Sequence, residues 1–392
     1  MSKNRPLLSI VVPTKNRYET LSVLIDSLLM WESHEFELII QDNSDDNSFI
    51  IEFISKYSND ARIKYFYEGV AMSAIENCDL AVGNSTGKYV TFIGDDDGIL
   101  KQSIDVVEWM EKNQVDALYC KIGVYVWPDM KHAVSINNQM NGVLFEADLK
   151  GYLIKVDAKE QLEKVVQIGA QDMYKIPRLY QGVVSRIVLD KLKHLVGTYF
   201  PGPVPDMANA IGIIPFVSNY YFTDIPIIVS GQSSKSMSGK NSQRDHQGDI
   251  KTEKSLPTNT FENWTPMIPR FWSAPTIWAE AFIKSATITN QVKITNGLNF
   301  KRMYAACFAY CNKKYYSIIF EAMFKDKGFF EKITSIIKVS YYVFLIYLKR
   351  AYILLNKILF GVKGKKFESI YGALVYLESE VENKIDLKKL LS

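Results

Sequence analysis

The stretch FIGDDDGIL (92–100) places three consecutive carboxylates behind an apolar, strand-like run. Side chains at positions i and i+2 of an extended chain point the same way, so Asp95 and Asp97 can address one ligand. Mg²⁺ and Mn²⁺ prefer carboxylate oxygens and share their coordination shell with substrate phosphates. The stretch therefore predicts a divalent-cation site. The alternative is a solvated turn whose aspartates cap the helix that begins near Ile99.

The residues before this stretch alternate between strand-like and helix-like patterns, which predicts an α/β fold with a parallel sheet covered by helices. The predicted strands are residues 7–12, 36–41, 63–67 and 89–93, and the predicted helices are residues 18–31, 48–57 and 72–82. Ligands of such sheets bind at the carboxyl ends of the strands. Polar clusters follow three strands, at residues 14–17, 42–46 and 95–97. We expect these clusters to converge on one crevice.

The pattern after the aspartates is more mixed. It predicts a helix to about residue 112, strands at residues 117–126 and 220–229, and helices near residues 158–168 and 180–192. Residues 201–212 form a proline-rich loop that enters a helix, and residues 231–249 form a long polar loop rich in glycine and serine. A loop of that length is usually functional or mobile. From about residue 261 the pattern is helical.

Composition limits the class of protein. A chain of 392 residues with 47% hydrophobic residues can bury a large core and a second, smaller unit. A net charge of +3 gives no global attraction for nucleic acid, so we expect no nucleic-acid partner. The four cysteines show no metal or disulfide spacing. No clean apolar stretch reaches the ~18 residues of a spanning helix, and the first residues lack a signal-peptide pattern. These features predict a reducing, cytoplasmic compartment.

Three segments carry a specific resemblance. LSIVVPTKNR (8–17), ELIIQDNSDDNS (37–48) and NSTGKYVTFIGDDDG (84–98) resemble, in order and spacing, the nucleotide-binding half of family-2 glycosyltransferases, which have the GT-A fold. The resemblance is strong over about residues 6–125 and loose over 126–250, and it does not extend to the C-terminal third. It implies a Rossmann-like sheet, a nucleotide-sugar donor, most often a UDP-sugar, and Mn²⁺ or Mg²⁺ as cofactor.

The resemblance also implies roles for residues of the first two polar clusters. Pro13 and Thr14 would line the nucleoside pocket, and Arg17 would lie near the phosphates. Asp42 would accept a hydrogen bond from the N–H of the base, most often a uracil. These positions match the family's strand ending in Pro-Thr-x-Asn-Arg and its second strand ending in Asp.

For the Asp-x-Asp motif, the resemblance implies that Asp97 binds the metal. Asp95 would reach the ribose or the metal, and Asp96 would belong to the donor-binding loop. The family often has Ala-Arg-Asn in the preceding helix, whereas this chain has AIEN (74–77), so Asn77 keeps the amide and the arginine is absent. A nearby positive charge would then come from Lys15 or from the 231–249 loop.

An inverting transferase needs a base that removes the proton of the acceptor hydroxyl. The family places this acid at the start of a helix well after the metal motif, and Asp206 in GPVPDMANAIG fits that position. An ordinary helix N-cap is the alternative for Asp206, and Asp172 in GAQDMYK is the second candidate for the base. Tyr180 and Gln181 fall where the family forms part of its sugar pocket, although a buried tyrosine at a helix start explains the pattern as well.

The 231–249 loop could close over the diphosphate. Arg244 would contact a phosphate and His246 would add a metal ligand, since some GT-A enzymes use a late loop in this way. The alternative is a disordered surface loop, which has the same composition.

Residues 325–366 carry ten Lys or Arg against two acids, interleaved with VSYYVFLIYL (339–348) and AYILLNKILFGV (351–362). Basic residues beside Tyr, Phe and Leu on one helix favour a helix that lies on a membrane surface. A buried helix whose lysines reach solvent and the interface of a homo-oligomer are the alternatives.

Together these features predict a GT-A catalytic domain at residues 1–255, with a nucleotide-sugar half (1–125) and an acceptor half (126–255), followed by a helical region (256–392). The predicted activity is metal-dependent, inverting transfer of a sugar to a hydroxyl of a glycan or a lipid-linked acceptor. By analogy with the family, this would serve bacterial surface polysaccharides such as O-antigen or capsule, at the inner face of the cell membrane. A non-catalytic scaffold or a nucleotidyltransferase is the alternative, although the latter usually has a glycine-rich loop where this chain has PTKNR (13–17).

Overall fold

The computed structural model describes residues 5–133, 135–145, 149–242, 247–361 and 363–392. The first part alternates between strands and helices: β1 (Leu8–Thr14), α1 (Tyr18–Leu29), β2 (Phe36–Asp42), α2 (Ser48–Ser55), β3 (Ile63–Tyr67), α3 (Ala74–Gly83) and β4 (Tyr89–Phe92). β1 and β2 are buried along almost their whole length, as expected of strands covered on both faces.

The middle of the chain has shorter elements. These are β5 (Gly98–Ile99), α4 (Ser103–Lys112), β6 (Ala117–Cys120), β7 (Gly123–Val126), β8 (Val143–Phe145), β9 (Leu153–Lys155), α5 (Ala158–Gln167), β10 (Gly182–Ser185), α6 (Arg186–Val196), α7 (Pro205–Ile213), β11 (Tyr220–Thr223), β12 (Ile228–Gln232), α8 (Met237–Ser242) and β13 (Gln247–Gly248).

The last part is mainly helical, as predicted. Its elements are β14 (Trp272–Ser273), α9 (Ala274–Ile288), α10 (Val292–Gly297), α11 (Phe300–Tyr310), α12 (Tyr316–Phe324), α13 (Phe329–Phe360), β15 (Lys365–Lys366), α14 (Ile370–Lys384) and α15 (Leu387–Leu390). Among the described residues, no helix combines the length and apolarity needed to cross a membrane.

The central sheet has the strand order β3-β2-β1-β4-β10-β6-β11-β9. β1 to β4 are mutually parallel where they pair, β10 runs antiparallel between β4 and β6, and β9 is an antiparallel edge strand. The predicted α/β class with a mainly parallel sheet is confirmed. Thr14 at the end of β1 lies opposite Asp42 at the end of β2, so the predicted polar clusters do share one edge of the sheet.

Two segments that were each predicted as one strand form two successive strands in the structure. The stretches predicted at 117–126 and 220–229 both leave the central sheet midway and continue in a second sheet of order β15-β8-β7-β12-β5. β6 pairs with β11 in the first sheet, and β7 pairs with β12 in the second. This crossing brings the end of β12 to the loop that follows β4.

The prediction of a helix near residues 180–192 is wrong for the first residues of that range. Residues Gly182–Ser185 form β10, and α6 begins only at Arg186, where the Ser185 side chain accepts a hydrogen bond from Val188 N. Gln181 has a left-handed backbone (φ 57°), which a helix cannot accommodate. The β-branched pair Val183 and Val184 then continues as a strand.

The C-terminal helices pack onto the sheet domain. α9 and α11 share one hydrophobic core with α7, through Phe282, Met303 and Ile211. α14 joins the second core, where the Leu374 side chain lies against Gly98 of β5. The domain boundary at residue 255 stays a prediction.

Candidate active site

Asp95, Asp96 and Asp97 form a tight loop directly after β4, and all three are at most 3% exposed. The loop closes on itself, since Asp97 N donates to Gly94 O (3.1 Å). Three buried like charges require compensation. The compensating groups come from the residues after β1, from Gln181 and from the end of β12.

Asp95 is paired with the polar cluster that follows β1. Thr14 Oγ1 donates to Asp95 Oδ2 (2.7 Å), and Arg17 Nε donates to the same oxygen (3.1 Å). Arg17 Nη2 lies 2.6 Å from Asp95 Oδ1, which makes the ion pair bidentate. Burial opposes the charge of Arg17, but the carboxylates of Asp95 and Asp96 outweigh it and raise the pKa of Arg17. The basic group beside the motif is therefore Arg17, while Lys15 Nζ donates to Asn43 Oδ1 (3.1 Å).

Asp96 is held by the segment that follows β12. Its Oδ2 accepts from Ser233 Oγ (2.6 Å) and from Ser233 N (3.1 Å). Its backbone carbonyl accepts from Trp127 Nε1 (2.9 Å). Arg17 Nη1 lies 3.5 Å from Asp96 Oδ1, so one arginine serves two of the three aspartates.

Asp97 is compensated by neutral donors. Oδ1 accepts from Gly231 N (2.8 Å), and Oδ2 accepts from Gly94 N (2.8 Å) and from Gln181 Nε2 (3.1 Å). Within the part of the chain that the structure describes, no ion pair to Asp97 is formed. Asp97 is thus a carboxylate fixed in position by three N–H groups and lacking a cationic partner there.

Burial and mutual repulsion change the acidity of two of these groups. Burial, reinforced by the charge of Asp96, raises the pKa of Asp97 to about 7. Burial raises the pKa of Asp95 to about 7 as well, although Arg17 acts in the opposite direction. A divalent cation would favour the charged form of both groups.

These pKa values predict a pH-dependent stability. Both carboxyls have a pKa of about 7 in the folded protein and 3.8 ordinarily, so between these values the folded chain binds more protons than the unfolded chain. The free energy of unfolding must then fall as pH rises through 7. We expect it to drop by about 1 kcal/mol per carboxyl between pH 6 and pH 8 in metal-free, nucleotide-free protein. Urea unfolding at the two pH values measures this, and Asp97→Ala should halve the difference.

The donor set fits a hard divalent cation. Asp97 and Asp95 offer carboxylate oxygens, and diphosphate oxygens of a substrate would complete the shell. The buried Asn77 Oδ1 has no hydrogen-bond partner, which is expected of a site that receives a polar ligand. The described residues hold no group of three or more His, Cys, Asp or Glu that could bind a metal alone.

Asn77 lies next to the predicted nucleoside pocket. Its Nδ2 donates to Thr14 O (3.4 Å), and its side chain is buried. Pro13 precedes Thr14 in β1 and is partly exposed. Glu76, which stands where the family often has arginine, is used to cap α3, where its carboxylate accepts from Ser73 N (2.7 Å).

Asp42 is fully buried with its carboxylate already satisfied. Oδ2 accepts from Tyr18 Oη and Tyr65 Oη (both 2.7 Å), and Oδ1 accepts from Ser44 N (2.8 Å). Burial and the hydrogen bonds to Asp42 raise the pKa of both tyrosines. Its contact with a nucleobase stays a prediction, and Oδ1 retains one acceptor position for it.

Asp206 lies in the first turn of α7 and is partly exposed. Its Oδ1 accepts from Met207 N (2.7 Å). Desolvation raises its pKa, opposed by the hydrogen bond to Met207, the charge of Arg178 and a hydrogen bond from Trp278. Asp172, the second candidate, is exposed and accepts from Tyr174 N (2.7 Å) within its own turn.

Tyr180 is influenced by both Asp206 and the acidic loop. Burial raises the pKa of Tyr180, and the charges of Asp97, Asp96 and Asp206 raise it further. The next residue, Gln181, donates to Asp97 and is fixed by Gln181 N to Phe92 O (2.9 Å). The structure thus brings the predicted sugar-pocket residues to the predicted metal site. Gln181 has a left-handed backbone (φ 57°), and strained backbone of this kind often occurs at functional sites.

The remaining predicted residues cannot be placed. Arg244 and His246 lie outside the described residues. The described part of the 231–249 segment holds Gly231, Ser233 and the helix α8. Lys235 from this segment pairs with Glu19 (3.1 Å).

Gly231, whose N–H donates to Asp97, was not predicted from the sequence as a site residue. A Cβ at this position would lie 1.6 Å from Asp96 O and 2.9 Å from Trp127 Nε1. Only glycine therefore lets β12 approach the acidic loop closely enough for Gly231 N to reach Asp97. A glycine near the end of a predicted strand indicates that another backbone segment approaches closely. The sequence does not reveal that this segment is the acidic loop.

Comparison with known proteins shows that part of the chain, including several of these site residues, matches a protein-family model. Residues 9–162 match the model described as Glycosyl transferase family 2. That range contains Thr14, Arg17 and the three aspartates, and it ends before Gln181, Asp206 and Gly231.

Individual relatives match a similar stretch. An uncharacterized glycosyltransferase of Rickettsia felis is 35% identical over 111 residues, which are 27% of this chain and 17% of that protein. The GalNAc(5)-diNAcBac-PP-undecaprenol beta-1,3-glucosyltransferase of Campylobacter jejuni is 31% identical over 105 residues, 26% of this chain and 33% of that protein. The matched stretch spans a third or less of these relatives. Among solved structures, S. aureus TarS 1-349 in complex with UDP-GlcNAc aligns with 86% of this chain and 89% of that chain, at 12% identity and a TM-score of 0.46, too low to support an inference.

Proposed function

We propose that this chain, whose residues 9–162 match the family model described as Glycosyl transferase family 2, transfers a sugar from a nucleotide-diphosphate sugar to a hydroxyl group. The donor proposed is a UDP-sugar, from the resemblance around Asp42. The acceptor proposed is a glycan or a lipid-linked glycan of a bacterial surface polysaccharide. The Campylobacter relative is named for an undecaprenol-linked acceptor, which supports the lipid-linked case.

One observation carries the proposal. Asp97 is a buried carboxylate that three N–H groups hold in place, with a pKa raised to about 7 by burial and by Asp96. A protein gains nothing in stability from such a group. It is suited to receive a cation together with the diphosphate that the cation neutralises.

In the proposed reaction Asp206 removes the proton of the acceptor hydroxyl, which attacks the anomeric carbon in a single displacement. Desolvation of Asp206 raises its pKa and so makes it a stronger base than an exposed aspartate. Arg17 would orient the diphosphate end of the donor, and Asp95 and Asp97 would hold the cation that binds it. A cation bound there would stabilise the departing nucleoside diphosphate. Tyr180, which precedes Gln181 beside Asp97, would face the transferred sugar.

Two other functions use similar residues. A nucleotidyltransferase would also need strand-end carboxylates and a cation, but the residues after β1 are PTKNR rather than a glycine-rich loop. A non-catalytic scaffold would have no need of both Asp97 and Asp206.

Calorimetric titration with UDP, GDP and dTDP, each with and without Mn²⁺, tests the donor site. We expect Mn²⁺-dependent binding of one nucleotide to the wild type and a loss of at least tenfold in affinity in Asp97→Ala, because the main cation ligand is removed. Asp105→Ala is a matched control, since Asp105 is an exposed acid on α4. Binding of none of the three nucleotides would overturn the donor site and favour the scaffold.

A further inference from the structure

The long helix α13 exposes an apolar face along its whole length. Phe330 is 80% exposed, Phe344 is 61% exposed and Leu359 is 63% exposed. The other large side chains on this face that are at least 39% exposed are Phe329, Ile333, Ile337, Tyr341, Tyr347, Leu348, Tyr352, Leu355 and Ile358. A helix that faces water normally shows the opposite pattern.

The charges of α13 are segregated from this face. Its six charged residues are Glu331, Lys332, Lys338, Lys349, Arg350 and Lys357. At 3.6 residues per turn they fall within about 120° of the circumference. The remaining 240° or so carries no charge, and its exposed part runs for about 45 Å along the helix.

The opposite side of α13 is fixed to the protein. Val339 and Ser335 are buried, and Arg302 of α11 stacks over the Tyr342 ring (4.0 Å). Arg350 Nη1 donates to Ala309 O (3.2 Å). These contacts settle which face is turned outward, so the apolar face is presented to the surroundings.

The charge around this helix is strongly positive. Residues 325–366 carry ten Lys or Arg and two acids, a net charge of +8, while the whole chain carries +3. The rest of the chain therefore carries −5, from 3 minus 8. Lys338 and Lys349 are exposed at the border of the apolar face. Two copies joined through this face would bring +8 against +8, so the charge disfavours a dimer here and suits an anionic partner.

We propose that α13 lies flat on an anionic lipid surface, with the apolar face at the boundary of headgroups and acyl chains and with Lys338 and Lys349 among the headgroups. An apolar face bordered by lysine, with aromatic residues along it, is the composition of interfacial helices. α13 is not apolar enough to cross the membrane. This proposal rests on the helix alone and is independent of the proposed function.

Co-sedimentation of the full chain with vesicles tests it. We expect binding to vesicles of phosphatidylcholine with about 30% phosphatidylglycerol, chosen for its anionic surface potential, and weaker binding to pure phosphatidylcholine. Phe344→Asp with Leu348→Asp should lower the partition coefficient by at least about tenfold, because carboxylates resist the interface. Lys338→Gln with Lys349→Gln should lower it about thirtyfold on anionic vesicles only, at about 1 kcal/mol for each lysine.

A matched control is Ile187→Asp, which changes a 67% exposed isoleucine on α6 and should bind like the wild type. All substituted residues are exposed, so the variants should keep the wild-type melting temperature. Absence of vesicle binding would overturn the proposal. So would equal losses in Ile187→Asp and the α13 variants. A dimer in analytical ultracentrifugation that Phe344→Asp dissociates, without vesicle binding, would instead assign the face to a second copy of the chain.

Discussion

Replacing Asp206 by asparagine is expected to lower the turnover number by a factor of about 10²–10⁴, the range that a general base contributes. Affinity for the nucleotide should stay unchanged, because the proposed donor site consists of Asp95, Asp97 and Arg17. Asparagine keeps the size and the hydrogen bond from Met207 N but cannot take a proton. Initial rates at saturating donor and Mn²⁺, together with calorimetric nucleotide affinity, separate the two effects.

The pH profile gives a second measure of the same residue. A base acts when deprotonated, and desolvation raises the pKa of Asp206 above 3.8, so the wild-type rate should fall on acidification at a higher pH than for an ordinary aspartate. At saturating donor and Mn²⁺ this acid limb should be absent from the residual rate of Asp206→Asn. Asp172→Asn is the control, since Asp172 is exposed and was the second candidate. A larger loss in Asp172→Asn than in Asp206→Asn would show that the base has been misassigned.

Gly231→Ala is expected to abolish metal-dependent nucleotide binding and to destabilise the fold by about 1–3 kcal/mol or more. The new Cβ would lie 1.6 Å from the backbone oxygen of Asp96, and a backbone atom cannot rotate away as a side chain can. β12 must then move off the acidic loop. That movement breaks the hydrogen bonds from Gly231 N to Asp97 and from Ser233 to Asp96.

Chemical unfolding and nucleotide calorimetry on the same samples measure both losses. Gly248→Ala is the matched control, because a Cβ there meets no atom within 4 Å. Wild-type affinity in Gly231→Ala would mean that Gly231 N is dispensable for holding Asp97.

The sequence was most informative where the signal is local. β1 to β4 are rich in apolar residues, so their strand assignment and the clustering of Thr14, Arg17 and Asp95 at one sheet edge followed from pattern alone. The ion pair between Arg17 and Asp95 was not foreseen, and a positive charge was sought at Lys15 or in the 231–249 loop instead. Arg17 directly precedes α1, and the direction of its side chain depends on where β4 ends.

The rest of the site depends on contacts between distant segments. Gln181 and Gly231 reach Asp97 because β10 inserts beside β4 and because β12 crosses into the second sheet, and neither pairing has a signature in a single sequence. The apolar spacing of residues 180–192 fits a helix equally well, and the left-handed Gln181 decides for a strand. For α13 the basic and apolar composition was clear, but which face is free could be read only from its packing on α11.

The donors that hold Asp97 have a consequence for biogenesis. Gln181 and Gly231 lie 84 and 134 residues beyond Asp97 in the chain. During synthesis the three aspartates emerge long before the groups that position them, and closing such long loops is a late and slow event in folding. A nascent or truncated chain that stops before β12 keeps the complete acidic motif without a finished cation site. Because a ligand stabilises only the form that binds it, a metal–nucleotide complex would act as a check on completion, protecting full-length molecules from proteolysis and leaving shorter ones exposed.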